Sequence, residues 1–171
     1  MSDMKIYTYP EPVLKRNAEP VENIDEGLQE IIDQMLETMY AAPGIGLAAN
    51  QVGVLKRVIV FDGSPREEGS NPRVLINPEI VAAEGSIRWD EACLSVPDYT
   101  AEVSRKSNIR VKGLDRDGNP LELEAKDLLA VCLQHEIDHL DGILFIDRIS
   151  SLKRALYKKK LKKKEKGKSN K

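Results

Sequence analysis

Only two of the 171 residues are cysteines, and only two are histidines. Two cysteines cannot build the disulfide-dense framework of a small secreted scaffold, so this chain must be held by an apolar core. Its length suits one domain of ordinary size that buries such a core without staples. No apolar run approaches the roughly 20 residues that a membrane-crossing helix needs, which excludes a helical membrane protein. The first residues, Met1 to Lys5, lack a basic stretch leading into an apolar one. No secretory leader is expected, and a cytoplasmic, reducing compartment is. There Cys93 and Cys132 are expected as free thiols or metal ligands, not as a disulfide. Charge, by contrast, is plentiful: 32% of residues are charged against 41% apolar, the balance of a soluble globular protein.

The net charge of −2 conceals a division. Residues 153–171 hold 11 Lys or Arg and a single acid, Glu165. The totals of 26 basic and 28 acidic residues therefore leave 15 and 27 for residues 1–152. An acidic body with a basic tail points to a polyanionic partner for the tail. With no internal repeat and no interdomain linker, the expected organisation is one unit at 1–149 and a basic helix or tail at 150–171.

Pro10, Pro12 and Pro20 make residues 5–24 an extended arm. Asp25 can cap a helix to about Tyr40, whose Leu28, Ile31, Ile32, Met35, Leu36 and Met39 form one continuous stripe. Residues 57–61 predict a short strand buried on both faces, and residues 66–72 an exposed loop. Val74-Leu75-Ile76 predicts a second strand, stopped by Asn77-Pro78. Alternation at 109–112 and 121–124 around the turn signal 115–119 predicts a hairpin. A further helix is expected from about Lys126 to Asp141, with Leu128, Leu129, Cys132, Leu133, Ile137 and Leu140 apolar and Gly142 as its left-handed cap. The last helix is expected to start at Ser150 or Ser151, to carry Leu152, Leu156 and Leu161 on one face, and to dissolve into the Lys-rich end. Strands grouped between helices without βαβ alternation argue for an α+β fold.

His135-Glu136-Ile137-Asp138-His139 falls on that helix, and it uses both histidines of the chain. Histidines at i and i+4 project from one face and can converge on one ion at about 2.0–2.1 Å. Glu136 can then reach a water on the ion as general base. The plain alternative is a helix with two hydrogen-bonded histidines. A catalytic site needs a third protein ligand and an open position, and spacing alone does not choose between Cys93 and Cys132. Cys132 also fits the apolar stripe, where a thiol packs as a small hydrophobe.

Three segments, in order, carry a family resemblance. Gly44-Ile45-Gly46-Leu47-Ala48-Ala49-Asn50-Gln51 resembles the G-x-G-L-A-A-x-Q motif of peptide deformylases. Glu91-Ala92-Cys93-Leu94-Ser95 is similar to their E-G-C-L-S, and Gln134 to His139 to their Q-H-E-x-D-H. The resemblance spans the chain from Tyr9-Pro10 to Asp147-Arg148-Ile149. It implies an α+β fold of small mixed or antiparallel sheets around a central metal-binding helix, flanked by an N-terminal and a C-terminal helix. It implies hydrolysis of the N-formyl group from the N-terminal formylmethionine of new polypeptides, releasing formate. Cys93, His135 and His139 become ligands of one divalent ion, usually Fe²⁺ in the family, with Zn²⁺, Ni²⁺ or Co²⁺ able to replace it. Glu136 becomes the proton carrier, and the Gln51 side chain with the Leu94 N–H the oxyanion hole. Gly44 and Gly46 would let backbone approach the substrate. Ile45, Trp89, Leu128 and Val131 would line the methionine pocket.

The chain departs from the family at Ala92, usually Gly, and at Thr100, where some members carry Arg. Arg105 fits another position that is often basic. The resemblance also implies a monomer with formylmethionyl nascent peptides as partners, and the ribosome as partner of the basic tail. Two other readings stand beside it: a different H-E-x-x-H hydrolase such as a small peptidase, and a non-catalytic RNA-binding protein with a deformylase-like body.

Overall fold

Asp25 starts the first helix, α1 (Glu26–Ala41), by accepting the Leu28 N–H at 2.9 Å. The computed structural model containing this helix describes residues 4–64 and 69–169, with side chains through residue 166. Residues 65–68 lie outside the described residues, and with them the first part, 66–68, of the expected loop. α1 buries Leu28, Ile32, Met35 and Met39, the stripe expected from spacing.

The strands are β1 (Gly46–Ala48), β2 (Val58–Phe61), β3 (Arg73–Glu84), β4 (Ile87–Cys93), β5 (Val96–Arg105), β6 (Asn108–Leu114) and β7 (Pro120–Lys126). Five form one antiparallel sheet in the order β1-β2-β3-β6-β7, while β4 and β5 form a separate antiparallel hairpin. The second helix is α2 (Asp127–Leu140), and the third is α3 (Ser151–Ser169). The fold is α+β.

Strand alternation explains the layering. Val58 and Val60 of β2 pack with α1, whereas Ile59 and Phe61 pack with Leu133 and Ile137 of α2. The large sheet is thus covered by α1 on one face and α2 on the other. A third cluster joins Leu14 of the arm, Val96 and Val103 of β5, Phe145 after α2, and Tyr157 of α3. The extended arm is stitched to the loops that matter below: Tyr7 N–H donates to Gln51 O and Tyr9 N–H to Ser95 O, both at 2.7 Å.

The 109–112/121–124 hairpin is present as β6–β7, with Val111 opposite Leu123. α2 ends as expected at Gly142 (φ +74°), with Gly142 N–H on His139 O and Ile143 N–H on Asp138 O.

Two expectations need correction. β3 does not stop at Asn77-Pro78; it continues to Glu84 through a bulge between Ile76 and Glu79. A bulge tolerates a proline because it requires no ladder donor there. Asn77 adopts the left-handed region (φ +53°), and its amide bonds both the N–H and the carbonyl of Val21. Secondly, α3 does not dissolve at its lysines but stays helical to Ser169, because an extended Lys side chain favours helix once its charge is solvated. Leu152 and Leu156 are exposed, at 69% and 58%, and α3 packs instead through Tyr157 and Leu161. No helix of the described residues is long and apolar enough to cross a membrane.

Candidate metal centre and cleft

α2 brings His135 and His139 together, and the β4–β5 turn brings Cys93 to them. The two Nε2 atoms stand 3.3 Å apart, and Cys93 Sγ stands 3.3 Å from His139 Nε2. All three ligand atoms lie within 4.8 Å of one another. Two nitrogens each bonded at about 2.0–2.1 Å to a tetrahedral ion are separated by about 3.3 Å, so this donor set fits one ion. His135 Nδ1 faces Glu91 Oε1 at 2.9 Å, which favours a proton on Nδ1 and leaves Nε2 as the atom that could face an ion. Cys132 does not join the cluster: its thiol points at Ile45 O, 3.8 Å away.

The electrostatics divide the roles. Burial lowers the His135 pKa, but its bonds to Cys93 and Glu91 outweigh burial and raise it well above the ordinary value. Burial and the neighbouring His135 hold His139 well below the ordinary value. Glu91 loses solvent, yet bonds from Arg105 and His135 hold it down at about 2. Burial pushes Glu136 up to about 7. Cys132 is raised well above its ordinary value by burial and then by Glu136 and Glu91, which keeps it a neutral thiol.

Above the centre lies a cleft of about 330 Å³. Gly44, Ile45 and Gly46 form one wall, Trp89, Ala92 and Leu94 of the β4 side another, and Leu128 and Val131 of α2 a third. Ile45, Trp89 and Leu128 are 44%, 38% and 43% exposed, so the cleft presents unusually bare apolar surface. Gln51, Cys93, His135 and Glu136 reach it from below. The Glu136 Oε1 atom is buried without a hydrogen-bond partner among the described residues, an uncommon state for a carboxylate oxygen in a protein interior. Gln51 is held on three sides: Oε1 accepts from Ala48 N at 3.0 Å, and Nε2 donates to Ser95 Oγ at 3.1 Å and reaches Cys93 Sγ at 3.6 Å.

The model of the polypeptide deformylase family matches residues 3–155. The chain belongs to that family. The deformylase activity is accordingly its activity: metal-dependent hydrolysis that removes the N-formyl group from nascent polypeptides. Peptide deformylase of Thermodesulfovibrio yellowstonii is 58% identical over 165 residues, covering 96% of this chain and 100% of that one. Among solved structures, the Legionella pneumophila deformylase superposes with TM-score 0.89 at 45% identity, covering 98% of each chain. The Ehrlichia chaffeensis deformylase in complex with actinonin gives 0.90 at 42% identity, covering 96% of this chain and 99% of its own.

Sequence reasoning assigns no role to Glu91, Ser95, Asp138 or Arg148, and none beyond basic charge to Arg105. Yet Arg105 donates to both oxygens of Glu91, at 2.7 and 2.8 Å, and to Asp138 at 2.5 Å. Gln134 of the third deformylase motif bonds the N–H and the carbonyl of Lys106, tying α2 to the end of β5. The usable signal was that Glu91, Ser95, Gln134 and Asp138 are polar residues embedded in the quoted motifs.

Proposed function

We propose that Cys93, His135 and His139 hold one divalent ion, and that Glu136, Gln51 and the Leu94 N–H act on a formylmethionyl peptide bound in the cleft. The observation that carries this is the convergence of one sulfur and two ring nitrogens beneath a cleft that Glu136 and Gln51 also enter. When bound, the ion supplies Lewis acidity that polarises the formyl carbonyl and makes water a competent nucleophile near neutral pH.

The chain's own groups do the rest. Glu136, with its pKa raised to about 7, accepts the proton of the attacking water and returns it to the leaving amine. Gln51 Nε2 and the Leu94 N–H donate to the formyl oxygen as it becomes negative. Formate and the free α-amine leave. The methionine side chain occupies the apolar walls from Ile45, Trp89, Leu128 and Val131. Gly44 and Gly46 bring backbone close to the peptide. Ala92 adds a methyl where the family usually has glycine, which narrows that wall. Among the described residues β1 and β4 each keep one unpaired edge, and both line the cleft, so an extended peptide can add main-chain bonds to them.

Fe²⁺ is the native ion in this reading, with Zn²⁺, Ni²⁺ or Co²⁺ taken up during purification; a thiolate with two imidazoles suits all of them. Residues 1–149 carry every proposed catalytic group. The basic segment 150–171 presents Lys158, Lys159, Lys160, Lys162 and Lys163 outward for the phosphates of ribosomal RNA. The enzyme acts as a cytoplasmic monomer.

The test is formate release by anaerobically prepared, metal-reconstituted protein from formyl-Met peptides, beside aminopeptidase assay on the unformylated peptides. Glu136→Gln should bind metal normally and lose turnover. Cleavage of unformylated peptides, or full turnover by Glu136→Gln, overturns the reading.

A further inference from the structure

Behind the metal centre runs a continuous set of charged hydrogen bonds that ends at the surface. His135 Nδ1 donates to Glu91 Oε1 at 2.9 Å. Glu91 receives the Nε and Nη2 edge of Arg105. The remaining Nη1 of Arg105 donates to Asp138 Oδ2 at 2.5 Å. Asp138 also receives Arg148, Nε on Oδ2 at 2.5 Å and Nη2 on Oδ1 at 2.7 Å. We propose that Arg148 is a positioning residue for the metal centre: by occupying Asp138 it keeps Arg105 on Glu91, and so holds the His135 ring in its ligating orientation. This rests on the reading of His135 as a ligand.

The donor count carries the inference. Glu91 and Asp138 are both buried, 4% and 8% exposed, and so is Arg105 at 6%. With Arg148, two carboxylates meet two guanidiniums, and each carboxylate has a fork of its own. Without it, one buried guanidinium serves two buried carboxylates, and Asp138 Oδ1 loses its donor. A buried carboxylate lacking a donor is costly. Arg105 then turns toward Asp138, and its paired bonds to Glu91 loosen. The Glu91 carboxylate is the partner that orients His135.

The segment that supplies Arg148 is well placed for this role. It ends the short 3-10 turn Phe145–Arg148, whose Phe145 ring stacks against His135 with centroids 6.1 Å apart. Asp147 pins the turn, accepting the Leu144 N–H and pairing with Lys15. One four-residue turn therefore touches His135 on its ring face and, through three side chains, on its Nδ1 edge.

Charge alone predicts the opposite sign. Removing a nearby cation should tighten the hold on a divalent cation, whereas losing ring orientation should weaken it. Arg148 is also 42% exposed in its side chain, so its bare charge is screened. Groups that orient a metal-bound histidine typically contribute about 10–100-fold in affinity. Arg148 acts three links further out, so about 5–10-fold is expected.

The experiment measures Co²⁺ affinity of the full-length protein by chelator competition, reading the thiolate absorption band, with melting curves to show that each variant is folded. Arg148→Met should weaken Co²⁺ binding about 5–10-fold. Arg148→Lys keeps the charge but not the two-pronged fork, and should recover less than half of the loss. Arg110→Met, which removes an exposed ion pair on β6, should change nothing. Unchanged or tighter binding in Arg148→Met overturns the proposal, and so does full recovery by Arg148→Lys. If Arg148→Met does not fold, wild-type affinity in Arg148→Lys overturns it equally. A wild-type protein that binds no Co²⁺ overturns the ligand assignment itself, and this inference with it.

Discussion

A Cβ on Gly46 would stand 2.5 Å from Glu136 Oε2. Strand β1 and helix α2 are so close at this point that the proposed proton carrier rests where a side chain would be. Cys132 Sγ, 2.9 Å from the same imagined carbon, closes the other side. Glycine is needed here for space: its φ is not in the left-handed region.

Gly46→Ala should therefore push the Glu136 carboxylate off its position while leaving Cys93, His135 and His139 together. The expected outcome is a fall in kcat of at least about 100-fold, as for a misplaced general base, with metal content unchanged. Metal analysis beside steady-state kinetics checks this. Near-normal kcat would mean that Glu136 has room to relax.

Ser95 is fully buried, its hydroxyl accepts from Gln51 Nε2, and its N–H points at Cys93 Sγ. Gln51→Ala should lower kcat by about 3–4 kcal/mol in barrier, the usual effect of one oxyanion donor. Ser95→Ala keeps the donor but frees its direction, so a smaller loss, about 1–2 kcal/mol, is expected. In both variants the loss should fall on kcat more than on KM. Equal losses would place Ser95 in the chemistry itself.

Asp62 follows β2 and gathers donors from Ser64 N and Oγ, Asn71 N and the Tyr40 hydroxyl. Desolvation raises its pKa, but the bonds from Ser64, Tyr40 and Asn71 outweigh desolvation and hold it at about 2, against 3.8 unperturbed. A depressed folded pKa stabilises above the unfolded value and is lost as pH falls through the folded one. The stability gap between wild type and Asp62→Asn should therefore be constant from pH 7 to about 4 and shrink between about 4 and 2. Denaturant midpoints at four pH values decide it. A gap that closes already above pH 5 would contradict the network.

Tyr157 changes how the tail must be tested. It is 7% exposed and packs on Tyr99 and Tyr9, with centroids 4.5 and 6.0 Å away. Truncation after Ala155 removes that ring and Leu161, and should cost about 3 kcal/mol of stability. Changing Lys158, Lys159, Lys160, Lys162 and Lys163 to Gln keeps the ring. This variant should retain its melting temperature and its turnover of short formyl peptides, yet bind ribosomes more weakly at low salt. Ribosome affinity equal to wild type at low salt refutes the tail's role.

Much of this molecule could be read before any fold was known. The α1 stripe, the β6–β7 hairpin, the α2 helix with its Gly142 cap and the pairing of His135 with His139 all depend on neighbours three or four residues apart, or across a short turn. Such local geometry follows from backbone periodicity and needs no knowledge of distant chain. The three motifs carried the family for a related reason, since each is a short contiguous segment.

Other features arise only when remote segments meet. Ile87 to Asp90 and Tyr99 to Ser104 alternate as strands do, but the charged Glu91 and Arg105 fall at buried positions that only their meeting with each other and with α2 makes tolerable. Asn77-Pro78 reads as a strand end until a bulge and the Val21 backbone supply what the proline cannot. Leu152 and Leu156 share an apolar face by spacing, but α3 turns that face outward and seats Tyr157 on two other tyrosines. Spacing leaves Cys93 and Cys132 equivalent, and folding separates them by turning one sulfur toward His139 and the other toward Ile45 O. The line from His135 through Glu91, Arg105 and Asp138 to Arg148 joins four separate elements of the chain. Its physical basis is buried charge, which must find opposite charge wherever the topology provides it, and a linear pattern records no such distance.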